Sequence, residues 1–129
     1  WIKVLSTPNC NFIPLQYGKG WEKELNQLPN TIRSKITIIE SVDMSNDFES
    51  ICAVASSLDL IICPSSTVSW IGGGLGVPTW VAHLQPNWTR LGTNEFPSFP
   101  TMQSFPKDIF EPWSECFDPI KTKLDNLAK

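Results

Sequence analysis

The chain has 129 residues, of which 41% are hydrophobic and 18% are charged, and its formal net charge at pH 7 is −3. This length and composition predict one globular domain and exclude a disordered or fibrous chain. The ten basic residues are scattered, so we expect neither a nucleic-acid groove nor a basic membrane-binding face. No apolar run approaches the ~20 residues of a transmembrane helix, and the residues after Trp1 do not resemble a signal peptide, so we predict a cytoplasmic protein.

The four cysteines also favour a reducing compartment. They are Cys10, Cys52, Cys63 and Cys116, and no two of them have C-x-x-C spacing. Cys52 and Cys63 lie in apolar segments, where reduced thiols behave as small hydrophobic side chains. We therefore expect free thiols, with neither a disulfide framework nor a metal site.

The first half of the chain alternates predicted strands and helices. Short apolar runs predict strands, and apolar residues at helical spacing predict helices. The predicted elements are the end of a helix at 1–5, a strand at 12–16, a helix at 21–28, a strand at 36–39 and a helix at 48–57. Pro14 weakens the first of these strands because proline cannot donate to a ladder. Ser45, Asn46 and Asp47 are candidate N-caps for the last helix.

The second half continues this alternation around a loop-rich region. Apolar runs predict strands at 60–63 and 79–84, and a further short strand is expected at 101–105 within the loop-rich segment 85–112. A closing amphipathic helix is predicted over 113–127, with Pro119 delaying or interrupting it. Alternating strands and helices predict an α/β fold, a Rossmann-like doubly wound parallel sheet with helices on both faces.

The most informative motif follows the third predicted strand. Three hydroxyl residues, Ser65, Ser66 and Thr67, come after the apolar run, and a glycine-rich stretch at 72–76 follows them. Hydroxyl groups at a helix start, beyond the carboxyl end of a strand, are suited to hold an anion. Helix capping alone is the alternative for the hydroxyl residues, and helix-to-sheet packing is the alternative for the glycines.

Two further polar residues lie close to the same predicted sheet. His83 falls in an apolar strand, which favours a packed histidine over a catalytic one. Arg90 follows a Pro-Asn-Trp turn at the expected ligand edge. It is interpreted either as a bidentate phosphate ligand or as a solvated loop arginine.

Four segments together resemble heptosyltransferase-like GT-B glycosyltransferases (glycosyltransferase family 9), especially relatives fused to tetratricopeptide repeats. The central segment is LDLIICPSSTVSWIGGGLGVPTWV at 58–81, and the others are FIPLQYG at 12–18, NDF at 46–48 and QPNWTR at 85–90. The resemblance covers about two-thirds of the chain. It implies that residues 1–129 are the C-terminal donor-binding half of a GT-B fold, a piece of a longer two-domain protein.

The resemblance also implies a substrate and a partner domain. The donor would be a nucleotide diphospho-sugar linked to UDP, GDP or ADP, with no metal and no tightly bound cofactor. A missing N-terminal domain, with or without helical repeats, would bind the acceptor and supply the catalytic base. The 129-residue chain alone is then expected to bind nucleotide without turnover.

By position, the resemblance implies a set of donor-binding residues. Ser65 and Ser66, with the amides of Thr67 and Val68, would face the diphosphate. The remaining implied donor-site residues are Gln16, Tyr17 and Glu22 near the ribose or base, Asn46 and Phe48 by the base, Trp70 near the donor, and Arg90.

Two of these positions depart from the family pattern. Ser65 replaces an aspartate and Trp70 replaces a histidine, so a carboxylate and a proton donor are absent. Losing the carboxylate removes a charge that would repel a diphosphate. Trp70 either stacks on a sugar or base or packs as a buried helix aromatic.

These departures motivate a second hypothesis, a non-catalytic nucleotide-binding or interaction module with the same fold. An unrelated dinucleotide enzyme is disfavoured, since the glycine run at 72–76 is not G-x-G-x-x-G and comes after the helix has begun.

Overall fold

The computed structural model describes residues 1–129 and contains one parallel sheet. Its strands are β1 (Ile61–Pro64), β2 (Thr79–Leu84) and β3 (Met102–Lys107), in the spatial order β1-β2-β3. Cys63 lies opposite Val81, which in turn lies opposite Ser104. Because all three strands run in the same direction, their carboxyl ends form one side of the sheet, called the carboxyl edge below.

Six helices and one 3-10 turn surround the sheet. The helices are α1 (Ile2–Leu5), α2 (Trp21–Asn26), α3 (Asn30–Arg33), α4 (Phe48–Ser56), α5 (Thr67–Leu75) and α6 (Ser114–Leu127), and the turn is Trp88–Arg90. Helix α6 continues through Pro119, so the predicted interruption does not occur. Its buried apolar face, which includes Ile120 and Leu124, offsets the hydrogen bond that proline cannot make. None of the helices has the combination of length and hydropathy needed to cross a bilayer.

Helices cover both faces of the sheet because alternate strand residues point in opposite directions. Trp80 and Ala82 of β2 pack on one face in a cluster with Ile120 of α6. On the other face, Ile61 of β1 packs in a cluster with Ile71 of α5. The predicted α/β fold with a parallel sheet between two helical layers is thereby confirmed.

The glycines of α5 allow this helix to lie directly on the sheet. A Cβ atom added to Gly72 would lie 2.3 Å from Thr79 Oγ1, and one added to Gly73 would lie 2.5 Å from Met102 Sδ and 2.7 Å from Phe99 Cγ. All three distances are far below van der Waals contact. The packing interpretation of the glycine-rich stretch is therefore confirmed for these two residues.

The predicted strands at 12–16 and 36–39 are wrong in extent. A single parallel bridge joins Phe12 to Ile36. The Phe12 N–H donates to the Lys35 carbonyl at 2.8 Å, and the Thr37 N–H donates to the Phe12 carbonyl at 2.9 Å. The next bond of a parallel ladder would need an N–H at Pro14, which has none, so pairing ends after one bridge.

Candidate functional site

The hydroxyl residues Ser65, Ser66 and Thr67 lie at the carboxyl edge, where β1 leads into α5. Ser66 is the N-cap of α5. The Ser66 N–H donates to Ser69 Oγ at 3.3 Å, and the Ser69 hydroxyl donates to the Ser66 carbonyl at 2.6 Å. Thr67 and Val68 form the first turn, whose amides have no acceptor within the helix. Ser65 and Thr67 are exposed, and Ser66 and Val68 are half-buried, so these groups are available to an anion.

Asn87 connects the loop after β2 to this helix start. Its Nδ2 atom donates to Ser65 Oγ at 3.4 Å. Its Oδ1 atom accepts hydrogen bonds from the Thr89 backbone N–H at 3.0 Å and the Thr89 hydroxyl at 2.6 Å, which holds the amide in place. Asn87 is not among the candidate site residues predicted from the sequence. Its position as an N-cap shortly after a parallel strand was the available signal.

Arg90 is buried near the end of β2, which excludes the solvated-loop interpretation. The residue is 7% exposed. Nη2 donates to Asn94 Oδ1 at 2.9 Å, and the buried Nε has no partner. Neither of the two salt bridges involves Arg90. The guanidinium is therefore buried without an ion pair, which is a costly arrangement for a charged group.

His83 is a packed histidine, as predicted, and is 2% exposed. Its Nδ1 lies 3.0 Å from the Leu84 carbonyl oxygen, and its Nε2 lies 2.8 Å from Ser104 Oγ. Because a carbonyl only accepts, Nδ1 carries the proton and Nε2 accepts from the Ser104 hydroxyl. Burial lowers the pKa of His83, and the charge of Arg90 lowers it further. The ring is thus a neutral structural group that is closed to a substrate.

Trp70 is 41% exposed, so its interpretation as a buried helix aromatic is wrong. Its ring stacks on that of Trp88, with centroids 6.1 Å apart and an interplanar angle of 29°. Phe99 contacts the Trp70 ring edge-on, with centroids 5.3 Å apart. Gly73, three residues along α5, also faces Phe99, so Trp70 lies at the margin of the contact between α5 and the segment before β3.

A cleft of about 220 Å³ brings together two of the implied base-binding residues, Gln16 and Tyr17. Asp43 also lines this cleft and accepts a hydrogen bond from Asn46 Nδ2 at 2.8 Å. That bond and those from the backbone N–H groups of Ser45 and Asn46 lower the pKa of Asp43. A carboxylate that stays ionised is suited to accept hydrogen bonds from ribose hydroxyl groups.

The remaining three implied residues do not line this cleft. Glu22 is exposed on the first turn of α2, and the carboxylates that line the cleft are Glu40 and Asp43. Phe48 is 62% exposed at the start of α4. Asn46 reaches the cleft through its bond to Asp43. Asp43 could have been identified as a candidate from the sequence, because it is an acidic residue in the turn that precedes α4.

A larger cavity of about 610 Å³ lies on the face of the sheet that packs against α6, between α1 and α6. It is lined by aromatic and aliphatic side chains, including Trp1, Trp113 and Phe117, and an ion pair joins Lys3 and Asp118 at 2.6 Å. None of the residues implied by the family resemblance lines it.

No protein-family model matches the chain, and no solved structure matches it. The chain is similar to Protein FlbA of Caulobacter vibrioides, with 29% identity over 128 residues, which are 99% of this chain and 21% of that protein. The chain thus spans about a fifth of the length of this curated relative.

Proposed function

We propose that this chain is the donor-binding domain of a GT-B glycosyltransferase, in which a nucleotide diphospho-sugar binds at the carboxyl edge. One observation carries the proposal. The exposed hydroxyl groups of Ser65 and Thr67 flank the N-cap Ser66 of α5, a nine-residue helix that starts at the carboxyl end of a parallel strand. This is where open α/β sheets bind phosphate groups.

In this proposal the diphosphate contacts Ser65, Ser66 and the amides of Thr67 and Val68. The buried guanidinium of Arg90, in the turn that follows β2, adds positive potential without needing to touch the ligand. The nucleoside occupies the cleft lined by Gln16, Tyr17 and Asp43. The cleft precedes β1 in the chain, and its neighbour Leu15 packs against the cluster that contains Ile61 of β1, which supports continuity between the two parts of the site.

The proposed reaction is sugar transfer to a hydroxyl acceptor. The acceptor oxygen bonds to the anomeric carbon, the bond from that carbon to the diphosphate breaks, and the acceptor proton passes to a general base. The leaving nucleoside diphosphate keeps the electron pair, and the amides at the start of α5 would stabilise its charge. No catalytic base is assigned to this chain, so the base belongs to a second domain in this proposal.

The exposed apolar side chains of the carboxyl edge support a second domain in the longer protein. Leu91 is 68% exposed, Ile109 65% and Phe110 97%, and all three follow the ends of β2 and β3. Ile109 and Phe110 are adjacent in the chain, and neighbouring exposed apolar side chains of this size are typical of surfaces that another domain covers. We propose that this domain binds the acceptor and precedes the present chain, with helical repeats as a further expectation from the family resemblance.

Isothermal titration with UDP, GDP and ADP tests the phosphate assignment. Ser66→Ala should weaken binding of the preferred nucleotide by about tenfold, because a hydrogen bond to a charged group is lost. Ser66→Asp keeps a good N-cap but places a negative charge against the diphosphate, so it should fold normally and lose detectable binding. Ser34→Ala, an exposed serine after α3, is the matched control.

The alternative is a non-catalytic module that has kept the fold. Ser65 and Trp70, where the family pattern has aspartate and histidine, favour it. Absence of binding by all three nucleotides in correctly folded protein would support this alternative and contradict the donor-binding proposal.

A further inference from the structure

Two stacked tryptophan rings stand exposed beside the hydroxyl residues. Trp88 is 79% exposed and Trp70 is 41% exposed. Their stacking at 6.1 Å and the edge contact of Phe99 at 5.3 Å hold the pair in one orientation. Because Trp70 covers one face of the Trp88 ring, the high exposure of Trp88 leaves its other face open. We call this pair the tryptophan platform.

The platform adjoins the proposed diphosphate site on both of its elements. Trp70 lies four residues after Ser66, about one helical turn along α5. Trp88 directly follows Asn87, whose Nδ2 donates to Ser65 Oγ at 3.4 Å. A group bound through a phosphate to Ser65 and Ser66 therefore has a flat apolar surface and the polar atoms of Asn87 within reach.

These neighbours favour a sugar ring as the occupant. A pyranose presents a face of C–H groups, which packs on an aromatic ring, and a rim of hydroxyl groups, which suits Asn87 and Ser65. A nucleobase is a less suitable occupant, because the proposed function already places it in the cleft at Gln16 and Tyr17. That cleft is formed by the chain before β1, whereas Trp88 comes after β2. Two ring surfaces are also far smaller than the ~800 Å² that each partner of a stable protein interface buries.

We propose that Trp88, supported by Trp70, is the surface on which the sugar of the nucleotide diphospho-sugar stacks. This inference rests on the proposed function and names the part of the donor that the platform selects. Trp88 is a specificity residue here, since it adds affinity for the sugar and leaves the affinity for the nucleoside diphosphate unchanged.

The test compares each nucleoside diphosphate with its sugar conjugate by isothermal titration. The probes are UDP and UDP-glucose, GDP and GDP-mannose, and ADP and ADP-glucose, each with the wild-type chain and with Trp88→Ala. For the preferred pair, the wild type should bind the conjugate more tightly than the diphosphate. Trp88→Ala should weaken the conjugate by about 5- to 10-fold, since aromatic contacts of this kind are worth roughly that factor, and leave the diphosphate unchanged.

Two further variants sharpen the comparison. Trp88→Phe retains an aromatic face and should recover much of the affinity for the conjugate. Leu127→Ala removes a 65% exposed apolar side chain at the end of α6 and should change neither affinity. Circular dichroism should show wild-type helix content for all three variants, since the replaced side chains are largely in solvent.

Three outcomes would overturn the inference, and they are distinguishable from one another. If the diphosphates bind but the conjugates bind no more tightly to the wild type, the platform does not hold the sugar. If Trp88→Ala weakens both ligands equally, Trp88 contacts the nucleotide or supports the fold. If no probe binds to the wild type, both the proposed donor-binding function and the proposed sugar-stacking role of Trp88 are contradicted.

Discussion

His83 is the single histidine of the chain, and its burial links its titration to stability. Burial lowers its pKa in the folded state, so the unfolded chain binds a proton more readily. The contribution of neutral His83 to the free energy of unfolding is therefore complete above the pKa of histidine in the unfolded chain, near 6.5. It is lost as the pH falls towards and through the lower pKa of His83 in the folded protein.

We expect the free energy of unfolding to decrease when the pH is lowered below about 6.5, before the carboxylates titrate. Urea denaturation at a series of pH values measures this decrease, and NMR of the one imidazole gives its pKa directly. His83→Gln, which cannot titrate, should flatten this part of the profile. An equally steep profile in that variant would contradict the assignment.

The sequence predicted which residues carry candidate binding groups better than it predicted which of them are buried. Ser65 to Thr67 were identified from the sequence because hydroxyl residues at a strand-to-helix junction have a local meaning. Arg90 was left open between phosphate ligand and solvated arginine, yet it is buried and bonded to Asn94. Burial of a long polar side chain depends on what surrounds it, and that information is absent from its own segment.

At the scale of elements, the contact between α5 and β3 depends on Gly73. A Cβ atom there would lie 2.5 Å from Met102 Sδ and 2.7 Å from Phe99 Cγ. Gly73→Ala should therefore lower the free energy of unfolding by about 1–3 kcal/mol through overpacking. Urea denaturation measures this loss.

Gly74→Ala provides the matched control in the same helix. A Cβ atom at Gly74 meets nothing within 4 Å, so alanine should stabilise the protein by roughly 0.5–1 kcal/mol through helix propensity. Equal effects of the two substitutions would show that α5 does not pack on the sheet as described.

The helices and central strands were predicted better than the first strands. The predicted strand at 79–84 has the bounds of β2, and the predicted helix at 48–57 ends within one residue of α4. These elements have strong apolar patterns. The predicted strands at 12–16 and 36–39 depended on pairing with each other, and Pro14 limits that pairing to one bridge.

At the scale of the whole molecule, Cys63 reports on the opening of the core. It is buried in the cluster between β1, α4 and α5, and burial raises its pKa to about 12. Cys52, by contrast, is half-buried on α4. Alkylation of Cys63 therefore requires opening of the packed layers.

In iodoacetamide pulses read by mass spectrometry, we expect Cys63 to react at least about 100-fold more slowly than Cys52 without denaturant, since opening a core costs several kcal/mol. Its labelling should rise together with the global unfolding transition in urea. Fast labelling of Cys63 in native conditions would mean that this half of the core opens locally.

The fold class and the position of the hydroxyl residues follow from local patterns in the chain. Apolar periodicity, capping residues and strand-helix alternation are properties of short segments, so they can be identified from the amino-acid order. Which side chains meet depends on how the segments pack. Asn87 with Ser65, Trp70 with Trp88, and Gln16 with Asp43 are brought together by the packing of segments that lie far apart in the chain, and no local pattern specifies such contacts.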